Sequence, residues 1–194
     1  EYSLLHKACQ NIGEKCKNHI YTTIDMSGGY DKYYETLSKH MRQNIRTAYN
    51  YLHKNGIDYK FKIIPGTHLN KKDESKLMDI YLRRRENHSK TDSRIHKWYL
   101  LHLHYYSIAH KILDNSLFGI LWINGEIAAF WSGFASENRE YVSCPRLALD
   151  EKYARCSPGI VLLCETAKIL KEQVGINQLD LSRGNHDYKM RMGG

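Results

Sequence analysis

Apolar residues in the first half of the chain recur at helical spacing in some stretches and alternate with polar residues in others. A β-branched and aromatic stretch over 20–26 predicts a strand, and the segment from Asp31 to Lys54 predicts one amphipathic helix. A further strand is expected over 57–64, and a second helix from a cap at Asp73 to about Asn87. Apolar residues between 98 and 112 predict a third helix.

The period becomes two in the second half of the chain. Segments 117–123, 126–134 and 140–149 predict an antiparallel meander, with a two-residue Asn-Gly turn after the first of them. Ser157-Pro158-Gly159 opens a helix that is expected to run to about residue 173, and a short strand follows over 178–182. This order of elements indicates a mixed α/β fold.

Composition excludes several classes of protein. With 194 residues, 42% hydrophobic and 26% charged, the chain fits one domain with a core of its own. Its five cysteines include no C-x-x-C pair, which argues against a disulfide framework and a zinc site and favours reduced thiols in the cytoplasm. On a helix, the side chains of His102 and His104 would point apart, so we expect no metal site there. The apolar stretch 117–135 is interrupted by a turn, so no membrane span is expected.

Positive charge is concentrated in one third of the chain. The net charge is +8, and the segment 31–97 holds sixteen Lys and Arg against eight Asp and Glu. Such a segment indicates an anionic partner or a solvated basic surface. Arg42 and Arg46 are four residues apart on one helix face, where both could bind a phosphate, and neighbouring tyrosines would suit nucleic-acid stacking. The run Arg83-Arg84-Arg85 spreads around its helix and is expected on the surface.

Two local patterns could bind a ligand. The helix that opens at Ser157-Pro158-Gly159 follows a strand, and a helix N-terminus can bind a pyrophosphate. The strand over 178–182 delivers Asp180 and Arg183 to a glycine turn that is followed by Tyr188-Lys189. Taken singly, the first pattern favours an ordinary strand-to-helix turn, and the spacing of the second does not decide between a ligand site and a charged turn.

Together these patterns resemble a known family. The segment LDEKYARCSPGIVLLCETAKILKEQVGINQLDLSRGNHDYKMRMG, with LSKHMRQNIRTAYNYLHKNG and IDYKFKII before it, resembles the GNAT-type acyltransferases grouped with cellulose-biosynthesis acetyltransferases and FemAB-like proteins. The resemblance runs from about residue 21 to residue 192. It implies a GNAT fold, a mixed and mostly antiparallel sheet flanked by helices, whose fourth strand (140–149) and fifth strand (178–182) separate to admit the pantetheine arm of acyl-CoA.

The resemblance also implies roles for individual residues. Tyr188 would be the acid that protonates the leaving thiolate, and Asp180 or His186 would be the base. An anionic substrate would contact Arg42, Arg46, Arg183 and Lys189. The acyl-CoA co-substrate would lie against Leu147, Ala148, Leu149, Ser157, Pro158, Gly159 and Ile160, with backbone N–H groups of Ser157, Gly159 and Ile160 facing its pyrophosphate, and no metal is implied.

Domain boundaries and partners follow from the same reasoning. Residues 1–26 are expected to be a lead-in segment and strand, possible remnants of a preceding domain, and residues 27–194 a GNAT-like domain that ends early. A second GNAT-like half or a homodimer could complete it. Two alternatives to an acyl-CoA-dependent transfer to an amine stay open: FemAB-like aminoacyl transfer from charged tRNA, and a non-catalytic module that binds nucleic acid or an acidic polymer.

Overall fold

The described part of the chain forms one six-stranded sheet with helices on both faces. The computed structural model describes residues 21–88, 104, 106–184 and 186–193, so most of the third predicted helix lies outside the described residues. In space the strands run β1-β6-β5-β4-β3-β2, and every neighbouring pair is antiparallel except β5 and β6. The strands are β1 (Tyr21–Asp25), β2 (Tyr59–Pro65), β3 (Ser116–Ile123), β4 (Glu126–Ala135), β5 (Tyr141–Leu149) and β6 (Gln178–Arg183). The mixed α/β prediction is confirmed.

Two helical layers enclose the sheet. On one face, buried residues of the helices α1, α2 and α5 pack against the central strands and form the larger core. On the other face, α3 and the described part of a helix α4 cover a smaller core that includes Phe118 and Phe130. The helices are α1 (Gly29–Thr36), α2 (Lys39–Lys54), α3 (Lys71–His88), α4 (106–112), α5 (Pro158–Ile169) and α6 (Asp187–Arg191). No helix among the described residues is both long and apolar enough to cross a membrane.

Two helix starts differ from the prediction. The expected single helix from Asp31 is wrong, because Leu37 is extended and the Ser38 side chain caps α2 by accepting the N–H of Met41 at 3.1 Å. At α3, the Asn70 side chain accepts the N–H of Asp73 at 2.8 Å, so Asn70 is the cap. Competition between helix periodicity and short polar side chains that bind backbone groups explains both differences.

A β-bulge in β5 changes which face its side chains occupy. Ser143 pairs with Phe134 and Arg146 pairs with Ser132, so β5 has one residue more than β4 between these pairs. Before the bulge Val142 and Cys144 enter the larger core, whereas after it Ala148 enters the smaller core. A Cβ on Gly133, opposite the bulge, would lie 2.1 Å from the Ser143 carbonyl oxygen. Glycine is therefore required there for the two backbones to approach.

The parallel pairing of β5 and β6 ends at the same level. Only Tyr141 to Ser143 pair with Gln178 to Asp180, and beyond these residues no pairing of the two strands is recorded. The rest of β5 stays paired with β4, and β6 stays paired with β1. The centre of the sheet is consequently open on one side of the bulge.

Candidate functional site

A groove occupies the opening between β5 and β6. One cavity, of about 440 Å³, lies on the side of Ser157 and α5, and a second, of about 600 Å³, lies on the side of the bulge and the end of β6. Arg84, Leu147 and Tyr188 line both cavities. Because the two cavities share these walls, they form one continuous groove through the sheet, large enough for a small-molecule ligand.

The end of the groove at α5 has an unusual backbone. Ser157 adopts a left-handed conformation (φ 50°, ψ 52°), and Pro158 opens the helix. The N–H of Ser157 donates to the carbonyl of Ala154 at 3.0 Å, and that of Ile160 donates to the carbonyl of Ser157 at 3.0 Å. Two of the N–H groups expected to face a pyrophosphate are thus already bonded within the chain, and proline has none.

Gly159, at this junction, lines the groove. A Cβ there would make only an ordinary contact, 3.6 Å from Leu149 Cδ2. Leu147 and Leu149 also line the groove, whereas the Ala148 side chain is fully buried in the smaller core, away from it. The bulge explains why the two leucines face the groove and the alanine does not, because after residue 146 the odd-numbered residues of β5 point toward the groove.

The side chain of Arg84 lines the groove, which the sequence analysis does not predict. Its Nη1 donates to the carbonyl oxygen of Leu147 at 2.5 Å, so the side chain crosses from α3 to the free edge of β5. Arg84 follows Leu77 by seven residues and Ile80 by four, which places it on the face of α3 that packs against the sheet. That spacing could have distinguished it from Arg83 and Arg85, and the expectation that all three lie on the surface is wrong for Arg84.

Tyr188 lies where the two cavities meet, and the ring of His186 is next to it. Their rings are stacked, with centroids 6.3 Å apart and an interplanar angle of 11°. His186 is exposed and lines the cavity at the end of β6. Burial raises the pKa of Tyr188, although the nearby Arg84 charge acts in the opposite direction. The phenol therefore remains protonated at neutral pH and can donate a proton.

Asp180 and Lys189 are engaged in holding β6. Asp180 Oδ1 accepts the N–H of Ser182 at 2.7 Å, and Asp180 is not among the described residues that line the groove. The buried ammonium of Lys189 donates to the carbonyls of Ser182 and Arg183, at 3.1 and 2.6 Å. Burial lowers the pKa of Lys189, and Asp180 opposes that effect. The expected base Asp180 and the expected substrate-binding residue Lys189 are therefore both bonded within the chain.

The remaining predicted cations separate into two places. Arg183 lines the cavity at the end of β6, close to His186. Arg42 and Arg46 line neither cavity; they donate instead to the Glu35 carbonyl and the Gln43 side chain, each at 3.0 Å. The structure thus brings Arg183 to the groove and leaves the Arg42/Arg46 pair on the outer face of α2.

A mixed sheet that opens between two parallel strands, beside a strand-to-helix junction, defines the N-acyltransferase class of folds. The chain matches the family model of the acetyltransferase (GNAT) domain over residues 39–190 and belongs to that family. No curated protein matches it significantly.

Solved structures of distant proteins share the fold. A protein of unknown function from Bacteroides thetaiotaomicron is 15% identical, with a TM-score of 0.59 over 98% of this chain and 62% of its own. The C-terminal domain of a protein described as a lysylphosphatidylglycerol synthetase from Agrobacterium fabrum is 12% identical, with a TM-score of 0.63 over 98% and 61%. At these identities the likeness shows the fold alone. The chain spans about six tenths of the length of both.

Proposed function

We propose that the chain is an N-acyltransferase that takes an acyl group, most simply acetyl, from acyl-CoA and transfers it to an amine. The acceptor would be a sugar, a polysaccharide precursor or another small molecule. The observation that carries the proposal is the groove between β5 and β6, which has Tyr188 at the junction of its two cavities. Membership of the GNAT family supports the same reaction.

The residues of the groove fit acyl-CoA. Leu147 and Leu149 provide an apolar wall for the pantetheine arm, and the edge of β5 beyond the bulge is free of β6. Since two N–H groups of the α5 junction are already bonded, we assign the phosphates to Gly159 together with the guanidinium groups of Arg84 and Arg191. Each guanidinium also has one partner within the chain, the Leu147 carbonyl for Arg84 and the Asp187 carboxylate for Arg191, and keeps further N–H groups for a phosphate. Acyl-CoA supplies the activated thioester carbon.

The chemistry needs few groups from the protein. The amine nitrogen forms a bond to the acyl carbon, and the bond between that carbon and sulfur breaks. His186, on the wall of the groove, accepts the proton that the nitrogen loses, directly or through water, and is better placed for it than Asp180. The hydroxyl of Tyr188 donates a proton to the departing sulfur. Positioning of the two substrates supplies much of the remaining acceleration.

The alternatives from the sequence receive less support. In a nucleic-acid-binding module the tyrosines of α1 and α2 would be free to stack on bases, but Tyr33 is buried and donates to the Met192 carbonyl at 2.8 Å. Tyr49 donates to Glu165 Oε1 at 2.5 Å. Lys60 and Lys62, part of the basic segment, are exposed on β2 at the edge of the sheet, where lysine discourages pairing with other chains.

Membership of the cellulose-biosynthesis and FemAB-like group remains a proposal, as does a location in the cytoplasm, where acyl-CoA is available. Aminoacyl transfer would require charged tRNA as the donor. A donor comparison therefore separates the two reactions: retention of charged tRNA that weakens steeply with salt, without any response to acetyl-CoA, would favour aminoacyl transfer.

Replacement of Tyr188 tests the proposal. Acetyl-CoA should raise the melting temperature, and mass spectrometry of a panel of amines should detect acetylated product. Tyr188→Phe keeps the ring and removes the hydroxyl, so turnover should fall by roughly 10²-fold while the melting shift with acetyl-CoA persists.

Tyr141→Phe is the matched control, because Tyr141 is an exposed tyrosine on β5 that lines neither cavity. It should turn over normally. Absence of any melting shift with millimolar acetyl-CoA would overturn the proposed donor, and normal turnover of Tyr188→Phe would overturn the assigned acid.

A further inference from the structure

Arg146 presents a buried cation to the groove, and no carboxylate of the described residues is bonded to it. The residue follows the bulge on β5, is only 8% exposed, and lines the cavity at the end of β6. None of the ion pairs among the described residues includes it, and no described oxygen accepts a hydrogen bond from its guanidinium. Buried charges in proteins are normally paired, so this arrangement points to a missing anion.

Aromatic rings hold the guanidinium in place and leave its N–H groups unused. Its central carbon lies 3.3 Å from the centroid of the Tyr106 ring and 5.4 Å from that of Tyr81. Stacking on an aromatic face stabilises a cation, but it provides no hydrogen-bond acceptor for the N–H groups at the edge of the guanidinium plane. These N–H groups are therefore available to a planar anion such as a carboxylate or to a tetrahedral anion such as a phosphate.

Nearby carboxylates are engaged elsewhere. Glu74 lines a small cavity together with His110 and Arg146, but its carboxylate binds Ser107 and Lys111. Asp150 pairs with Arg83 at 3.3 Å. Neither acid forms a hydrogen bond or an ion pair with Arg146.

The cavity as a whole is basic. Its described lining contains no Asp or Glu, while it contains Arg84, Arg146, Arg183, His186 and Lys189. Lys189 binds two backbone carbonyls, and Arg84 binds the Leu147 carbonyl and is assigned above to the phosphates of the donor. Arg146 and Arg183 are left for the acceptor. The pantetheine arm of acyl-CoA is uncharged, and its phosphates would lie at the α5 end, so the donor does not account for these cations.

We propose that the acceptor amine carries a carboxylate or a phosphate, and that Arg146 binds this group in the cavity at the end of β6. The proposal rests on the acyl transfer proposed above and names its acceptor class. Arg146 and Tyr188 line the same cavity, so a small molecule can place its anion on the guanidinium and its amine near the acid and base. The cavity of about 600 Å³ suits a compact metabolite rather than a polymer.

Matched pairs of amines test the acceptor class. Each pair differs only in the anion: an amino acid and its carboxamide, O-phosphoethanolamine and ethanolamine, glucosamine 6-phosphate and glucosamine. Binding is measured by melting shift in the presence of CoA, and turnover by mass spectrometry with acetyl-CoA. The anionic member of at least one pair should bind and react roughly 100-fold better, and carboxylate and phosphate pairs show which anion is preferred.

Three variants assign the effect to Arg146. Arg146→Met should remove the preference for the anionic amine while the melting shift with acetyl-CoA remains. Arg146→Lys keeps the charge but loses the paired N–H groups of the guanidinium, so it should show part of the preference that Arg146→Met lacks. Arg139→Gln, on the exposed turn between β4 and β5, is the matched control and should keep the full preference. Circular dichroism confirms that each variant is folded.

The outcomes separate this proposal from the one it rests on. Equal binding and turnover of both members in every pair, or a preference that survives in folded Arg146→Met, would overturn the anionic acceptor. Loss of the acetyl-CoA response would overturn the donor instead, and a preference for anionic amines in the binding assay would then still support Arg146.

Discussion

Mild acid should destabilise the fold through one buried histidine, His110. The ring is 3% exposed and is stacked on Phe134 with a centroid distance of 4.4 Å. Its Nδ1 is 2.5 Å from the Ser116 hydroxyl, and its buried Nε2 has no hydrogen-bond partner among the residues that the structure describes. Burial, with a contribution from the Arg146 charge, lowers the pKa of His110 to about 3. The folded protein therefore keeps this ring neutral.

The size of the effect follows from proton linkage. An unfolded histidine has a pKa of about 6.5, so between that value and about 3 only the unfolded state takes up the proton. The free energy of unfolding therefore falls as the pH falls. From pH 7 to pH 5 the loss attributable to His110 is about 2 kcal/mol. For a protein of this size, that corresponds to a melting temperature lower by roughly 4–8 °C.

Urea denaturation at pH 7 and pH 5 measures the effect by comparison of two variants. His110→Asn keeps a polar atom near Ser116 and cannot titrate, so its loss of stability should be smaller than that of the wild type by about 2 kcal/mol. His53→Asn, at the exposed end of α2, should behave as the wild type does. Equal pH dependence in His110→Asn and the wild type would show that the ring is protonated in the folded state, contrary to its burial.

Two further predictions concern the bulge and the outer face of α2. Gly133→Ala should lower the free energy of unfolding by about 1–3 kcal/mol, because the new methyl group meets the Ser143 carbonyl. Gly159→Ala is the control, since a methyl group fits there. If chemical denaturation shows that Gly133→Ala differs from the wild type by less than about 0.5 kcal/mol, the close approach is refuted. Replacement of both Arg42 and Arg46 by alanine should leave the acceptor KM unchanged, because neither lines the groove. A raised KM in steady-state kinetics would restore the role in substrate binding that the sequence predicts for them.

Local sequence signals located most of the elements and one end of the groove. The Asn124-Gly125 turn, both with positive φ, joins β3 to β4 as predicted, and Pro158 opens α5. These signals depend on residues close in sequence. The expected splay of the fourth and fifth strands came from the family resemblance, and the recorded pairing of β5 with β6 does end at Ser143.

Contacts between distant segments could not be predicted in the same way. The pairing of Arg84 with Leu147, and the stacking of Arg146 on Tyr106, depend on how α3 and α4 cover the sheet. Periodicity alone identifies an arginine on an inner helix face but does not say which carbonyl it meets. The direction of the Ser182 carbonyl that binds Lys189 depends on the positive φ of Ser182, and a serine in the sequence does not predict that conformation.

The single extra residue in β5 lets one strand serve two ligands. In a regular strand, residue 146 would continue the series of Val142 and Cys144 and place a guanidinium in the apolar core under α5. The bulge turns it to the opposite side, while Leu147 and Leu149 keep an apolar wall along the rest of the groove. Position 146 can accordingly change during evolution to suit a new acceptor without altering the leucines that face the donor.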